Sequence, residues 1–373
     1  MTNRLKHLFI CFIVFWLPAV SAGQAAIAMP DKYSAQVAEQ ILKDGGNAVD
    51  AAIASAFVLA VTYPEAGNLG GGGFMTLYAS ETSRFQGGGI VPDGPRPYFL
   101  DYREKAPLAA NRDMYLDAKK KVIPYRSLVG YQASGVPGTV MGMWAAHQKF
   151  GSVPWARLLK PAIRLAEDGF VVPPELVETA QWYQKWIADK SAQPLNFNRF
   201  FGQLKAGTVF KQPRLANTLK QIAENGAHEF YHGATAMKLV KQMQAHKGLI
   251  TLKDLADYQV KWRRPVKGSW KGYQVISAPP PSSGGVAIIQ LLKMKAMLDT
   301  PYHEQLAKAE KAGESKLAVQ AHFYAELEKR VYADRAKYLG DPDFVKVPVE
   351  PLISHAYLAK RIQGVHFDRI SKT

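Results

Sequence analysis

The stretch GNAVDAAIASAFVLAVTYPEAGNLGGGGFM, Gly46 to Met75, decides how this chain folds. Ala48, Ala51, Ala52, Ala54, Ser55 and Ala56 leave part of a helix almost without bulk, so that helix can lie close to a neighbouring layer. It is predicted to start near Asn47 and to stop before Pro64, which lacks an N–H and disfavours helical geometry in the residue before it. Gly70 to Gly73 then open backbone angles closed to other residues, and let another segment or a ligand approach bare main chain. A phosphate cradle needs a Gly-Lys-Ser/Thr ending or G-x-G-x-x-G spacing ahead of a helix. Gly67-x-x-Gly70-Gly-Gly-Gly73 has neither, and Phe74 to Tyr78 reads as a strand. The glycines are therefore assigned to packing or substrate approach.

On the N-terminal side, residues 25–29 are predicted as a short strand and Ser34 to Leu42 as a helix closed by Gly45 and Gly46. On the other side, a strand is predicted from Tyr98 to Arg103. Helices follow at Trp155 to Gly169, Leu215 to Glu224 and Ala234 to Gln244, where apolar residues recur at helical spacing. Residues 188–212 are polar without a clear period and are predicted as loop. Tyr273 to Ser277 reads as a strand, and the Pro279-Pro280-Pro281 run as a stiff, extended segment. Ser282 or Ser283 is predicted to cap a helix from Val286 to Leu298, and a last helix, His322 to Leu339, closes at Gly340.

With 373 residues, 47% hydrophobic and 21% charged, the chain is long enough for one large domain or two modest ones. Arg4, Lys6 and His7 precede the apolar run Leu8 to Val20, and Val20-Ser21-Ala22 offers small residues for cleavage, so residues 1–22 read as a secretory signal. The run is short for a bilayer span and holds Pro18, so no stable membrane anchor is expected, and the location is predicted as periplasmic or secreted. Cys11, the only cysteine, lies in that leader, which removes disulfides and thiolate nucleophiles from the mature chain. Without the leader the chain has 45 basic and 31 acidic residues, a net of +14, which suggests an anionic partner or surface. Lys261-Trp-Arg-Arg264 with Trp270 and Lys271 has a basic-aromatic texture, but no nucleic-acid motif accompanies it. It is predicted as a solvated hairpin surface, with no nucleic-acid partner.

His228-Glu-Phe-Tyr-His232 matches the H-E-x-x-H zinc signature. Gly226 and Gly233 leave little room for the helix that must present both rings, and no third ligand is evident, so it is predicted as a turn pair without metal. Asp334, Asp341 and Asp343 lack the D-x-D-x-D-G calcium loop, and are assigned to Arg335 and a helix end. No G-x-S-x-G elbow is present, because Ser283 has Pro281 where the first glycine belongs. Asp101 and Arg103, two apart on a strand, share a face. They form either a local ion pair or a site where the Arg103 guanidinium offers parallel donors to a ligand carboxylate.

The opening stretch does not stand alone. Asp101-Tyr-Arg-Glu-Lys-Ala-Pro107, Ser134-Gly-Val-Pro-Gly-Thr139, Glu224-Asn-Gly-Ala-His-Glu-Phe-Tyr231 and Gly248-Leu-Ile-Thr251 follow it. Pro279-Pro-Pro-Ser-Ser-Gly-Gly285, Tyr332-Ala-Asp-Arg335 and Tyr338-Leu-Gly-Asp-Pro-Asp-Phe344 complete the series. From about Ile27 to about Arg361 the chain resembles the gamma-glutamyltranspeptidase (glutathione hydrolase) family, as the large-subunit half. The resemblance implies an α/β fold of the N-terminal-nucleophile hydrolase type, a four-layered αββα sandwich with a large helical portion, incomplete without a small subunit. It implies transfer of a gamma-glutamyl group from glutathione or a similar donor to water or an amino acid, through an acyl-threonine and with no cofactor. It assigns Arg103 to the donor's α-carboxylate. The nucleophilic threonine of the family opens a second segment beginning Thr-Thr-His, and the sequence stops at Thr373 before any such stretch. No catalytic residue is therefore expected in this chain, which is expected to be silent alone, with sheet edges left uncovered. A non-catalytic binder of gamma-glutamyl compounds is the alternative expectation.

Overall fold

The computed structural model describes residues 25–80, 96–187, 190 and 196–372, so the predicted leader with Cys11 lies outside the described residues. The small-residue helix forms over Ala48–Thr62, and its start is fixed by a reciprocal cap. The Asn47 side chain accepts the Val49 and Asp50 N–H groups at 2.8 and 3.0 Å, while the Asp50 carboxylate accepts the Asn47 N–H at 2.9 Å. Asp50 is fully buried and has a second duty. It accepts the backbone N–H of Ser152 at 3.0 Å, the Ser152 hydroxyl, and the N–H of Val153 at 3.3 Å. One carboxylate thus ties this helix to the turn between the helices Thr139–Phe150 and Trp155–Asp168.

Ile53, Ala54, Val58 and Val61 are completely shielded from water. The helix packs against both Lys32–Lys43 and Trp155–Asp168, and the latter packs in turn on Pro213–Asn225. Small residues let these neighbours close in, and the contacts form the largest core.

The strands are β1 (Phe74–Ala79), β2 (Arg96–Asp101), β3 (Phe170–Val171), β4 (Val209–Phe210), β5 (Lys261–Arg263), β6 (Val266–Trp270) and β7 (Tyr273–Ser277). β1, β2 and β5 form an antiparallel sheet in that order, with Leu77 opposite Tyr98 and Leu100 opposite Trp262. Side chains alternate across a strand. Met75, Leu77, Tyr98, Leu100 and Trp262 therefore share the face that meets the helical layer, where Tyr98 packs on Phe150 at 4.9 Å. Phe74, Phe99, Asp101, Lys261 and Arg263 share the other.

A second group of elements follows. β6 and β7 form a hairpin around Lys271 and Gly272, whose φ values of 47° and 84° suit a tight two-residue turn. The hairpin packs on the helix Gly284–Met297, which packs on the 23-residue helix Lys316–Tyr338. Glu326 of that long helix is buried, pairs with Lys329 at 2.8 Å and Arg330 at 3.0 Å, and accepts the Ser371 hydroxyl.

Several local expectations are corrected. Residues 25–29 form no strand. The predicted loop at 188–212 contains the helix Phe197–Phe201 and strand β4, which pairs with β3; Phe201 lies 6.1 Å from Phe210 and Phe210 lies 6.0 Å from Phe170, an aromatic chain that a search for period misses. The proline run does not stay extended, because Ser282 N–H donates back to the Pro279 carbonyl at 3.1 Å.

Candidate active site

A cleft of about 560 Å³ opens where the exit of β2, strand β5, the turn at Pro281 to Ser283 and the end of the long helix meet. Arg103, Ser283, Arg335 and Asp343 all line it. Four sequence motifs separated by as many as 240 positions therefore converge on one space.

Arg103 stands just beyond β2, and the glycine turn holds it there. Gly73 and Tyr102 exchange backbone hydrogen bonds at 3.0 and 3.2 Å. A Cβ on Gly72 would lie 2.5 Å from the Tyr102 carbonyl oxygen and 2.7 Å from the Glu104 nitrogen, so only a bare backbone fits. The Gly71 carbonyl accepts the N–H groups of Gly138 and Thr139 at 2.7 and 3.0 Å. None of Gly70 to Gly73 has a left-handed φ, which corrects the expectation of unusual backbone angles, while the expected close approach of another segment is found at Gly72 and Gly73. From the other side the Tyr258 hydroxyl donates to the Arg103 carbonyl at 2.9 Å. Burial pushes the Tyr258 phenol above its ordinary value, keeping that donor protonated.

The Asp101–Arg103 ion pair does not form. One Asp101 oxygen accepts the Arg103 backbone N–H at 3.1 Å, and the other pairs with the Arg263 Nε at 2.7 Å. Arg263 reaches across with its remaining nitrogens to Asp343 at 3.1 and 3.0 Å, and Lys261 joins the same carboxylate at 2.6 Å. The Arg103 guanidinium is left exposed, with no ion pair or hydrogen bond among the described residues. The Glu104 carboxylate is also uncommitted among them and lines the same cleft, so one space offers a fork for a carboxylate and an acceptor for an ammonium.

The aspartates reach different partners from those expected. Asp334 is buried and holds Gln290 at 3.1 Å, Tyr357 at 2.8 Å and Arg361 at 3.2 Å, rather than Arg335. Ser283 does not cap its helix, because its hydroxyl accepts the Arg335 Nε at 3.0 Å. Lys261-Trp-Arg-Arg264 is not a solvated hairpin: Lys261 and Arg263 face the cleft acids, and Trp262 faces Phe150 at 5.7 Å. The basic-aromatic texture is strand alternation.

His228 to His232 do form a helix, Ala227–His232, and the two rings stack at 5.0 Å, which corrects the expected turn pair. Glu229 is buried and takes the Thr235 N–H and hydroxyl at 2.9 Å each. Among the described residues no group of three His, Cys, Asp or Glu side chains is placed to hold a metal ion, and no helix is long and apolar enough to cross a membrane.

Two ion-paired acids, the buried Glu326 and the more accessible Asp343, make the molecule sensitive to acid. Hydrogen bonds from Arg263, opposed by burial and aided by Lys261, lower the Asp343 carboxyl from 3.8 to about 2. Burial would raise Glu326, but hydrogen bonds from Lys329, Ser371 and Arg330 hold it at about 2 instead of 4.5. Because both folded values lie below the unfolded ones, their contribution to stability is complete above about pH 5 and drains away as pH falls toward 2. Urea midpoints are expected to stay level from pH 7 to 5 and to drop steeply below 4.5, with the drop shallower in Glu326→Gln and in Asp343→Asn. A midpoint indifferent to pH down to 3 would contradict this.

A helical layer laid on an antiparallel sheet, with a cleft at the strand exits, here takes the form seen in N-terminal-nucleophile hydrolases. The solved gamma-glutamyltranspeptidase of Pseudomonas nitroreducens complexed with L-DON matches with a TM-score of 0.82 and 51% identity, over 94% of this chain and 97% of that one. That of Helicobacter pylori matches at 0.79 and 38%, over 92% of each. The profile of the gamma-glutamyltranspeptidase family covers residues 34–373, and the chain belongs to that family. The glutathione hydrolase proenzymes of Pseudomonas aeruginosa and Escherichia coli are 53% and 42% identical to it over 95% and 91% of its length. The chain spans 59% and 54% of those two relatives.

Proposed function

We propose that this chain is the large-subunit part of an exported gamma-glutamyltransferase or glutathione hydrolase. In this reading it binds the amino-acid head of the gamma-glutamyl donor while a second segment supplies the attacking threonine hydroxyl. The observation that carries the reading is the unpaired Arg103 guanidinium in the cleft on which the family motifs converge. A planar fork matches a carboxylate with two parallel hydrogen bonds, and the uncommitted Glu104 gives the same cleft an acceptor for the α-ammonium. The reading of a two-part enzyme draws support from coverage: the chain spans 97% of a solved transpeptidase chain but 59% of a proenzyme. The basic, apolar and small-residue order of residues 1–22 supports delivery to the periplasm or beyond.

The chemistry asked of this chain is positioning. Arg103 fixes the α-carboxylate, which sets where the gamma-amide lies, and holding reactants in place can supply a large share of a catalysed rate. The test is turnover of a chromogenic gamma-glutamyl anilide by the purified chain, with and without a separately produced segment opening on the family's threonine. Turnover is expected only in the mixture. Robust glutathione cleavage by the solitary chain would overturn the assignment, and donor binding without turnover in either case would identify a non-catalytic binder.

A further inference from the structure

The same cleft contains a second unsatisfied guanidinium. Arg335 projects from the last turn of the long helix, is exposed, and lines the cleft. Its Nε is fixed on the Ser283 hydroxyl at 3.0 Å, and the guanidinium carbon lies 5.8 Å from the centre of the Tyr332 ring. Held at two points, it keeps both terminal nitrogens without a partner among the described residues. No cleft acid forms an ion pair with it among the described residues. Asp101 and Asp343 are engaged by Arg263, and the Asp341 carboxylate accepts the Asp343 backbone N–H at 2.9 Å.

We infer that Arg335 is a second carboxylate subsite, so that the cleft is shaped for a gamma-glutamyl peptide with a free carboxylate at each end. This rests on the reading of Arg103 as the first subsite. The chemistry follows from the donors: two guanidinium forks in one 560 Å³ space, the Arg335 one held by Ser283, suit a ligand with two carboxylates, each fork pairing bidentately with one of them. Glutathione has this form, with one carboxylate on its glutamyl head and one on its terminal glycine. A gamma-glutamyl anilide has only the first.

Calorimetric titration of the purified chain with glutathione and with glutathione amidated at its glycine separates the two forks. Wild type is expected to bind glutathione about tenfold more tightly than the amide, the effect of one partly exposed charged hydrogen-bond pair. Arg335→Gln is expected to remove that difference by weakening glutathione alone, whereas Arg103→Gln weakens both ligands. Arg335 is exposed, so an unchanged melting temperature confirms that its variant is folded. An Arg335→Gln protein that keeps the wild-type preference, or that loses both ligands equally, overturns the second subsite. Arg103→Gln without effect on either ligand overturns the first subsite while leaving the Arg335 comparison readable. Wild type that binds neither ligand overturns both.

Discussion

Replacing Arg103 by lysine in the assembled enzyme is expected to weaken binding of gamma-glutamyl donors about 30- to 150-fold, roughly 2–3 kcal/mol. Lysine keeps the charge but presents a point, so one of two parallel hydrogen bonds and the planar match are lost. The melting temperature should stay within a degree of wild type, because the side chain is exposed and makes no contact that folding needs. The measurement is KM or a dissociation constant for the donor, beside a thermal melt. Donor affinity as tight as before would remove Arg103 from the site.

The second large effect concerns stability. Asp50→Ala is expected to cost about 3–5 kcal/mol, since it removes one half of the reciprocal cap and strands the buried N–H groups of Ser152 and Val153. Asp50→Asn keeps one carbonyl acceptor and should lose about half as much. Urea unfolding at pH 7 reads both. A loss below about 1 kcal/mol for alanine would mean that those donors find other acceptors.

The small-residue helix was legible from its own letters, because capping by Asn47 and termination before Pro64 are local events. The place of Arg103 at the exit of a strand was legible as well, although its neighbours were not. The pairing of Asp101 with Arg263, 162 positions away, decides that Arg103 stays free, and no spacing rule reports it. The same distance hid the alternation of Lys261, Trp262 and Arg263, since a three-residue strand is too short to show a period. Close approach at the glycines was legible too, but not that the segment crowding Gly72 is Tyr102 to Glu104 at the exit of another strand. Of the two serines read as possible caps, Ser282 accepts the Gly284 N–H at 3.3 Å, while only the approach of Arg335 from another helix revealed the use of Ser283.

Arg263 spans the floor of the cleft, clasping Asp101 on the strand and Asp343 on the facing loop, with its side chain only 15% accessible. Pulling the two banks apart would leave a shielded cation stranded, so the gap is braced at a set width before any ligand arrives. A gap preset in this way asks little reorganisation of the protein when the cleft is filled.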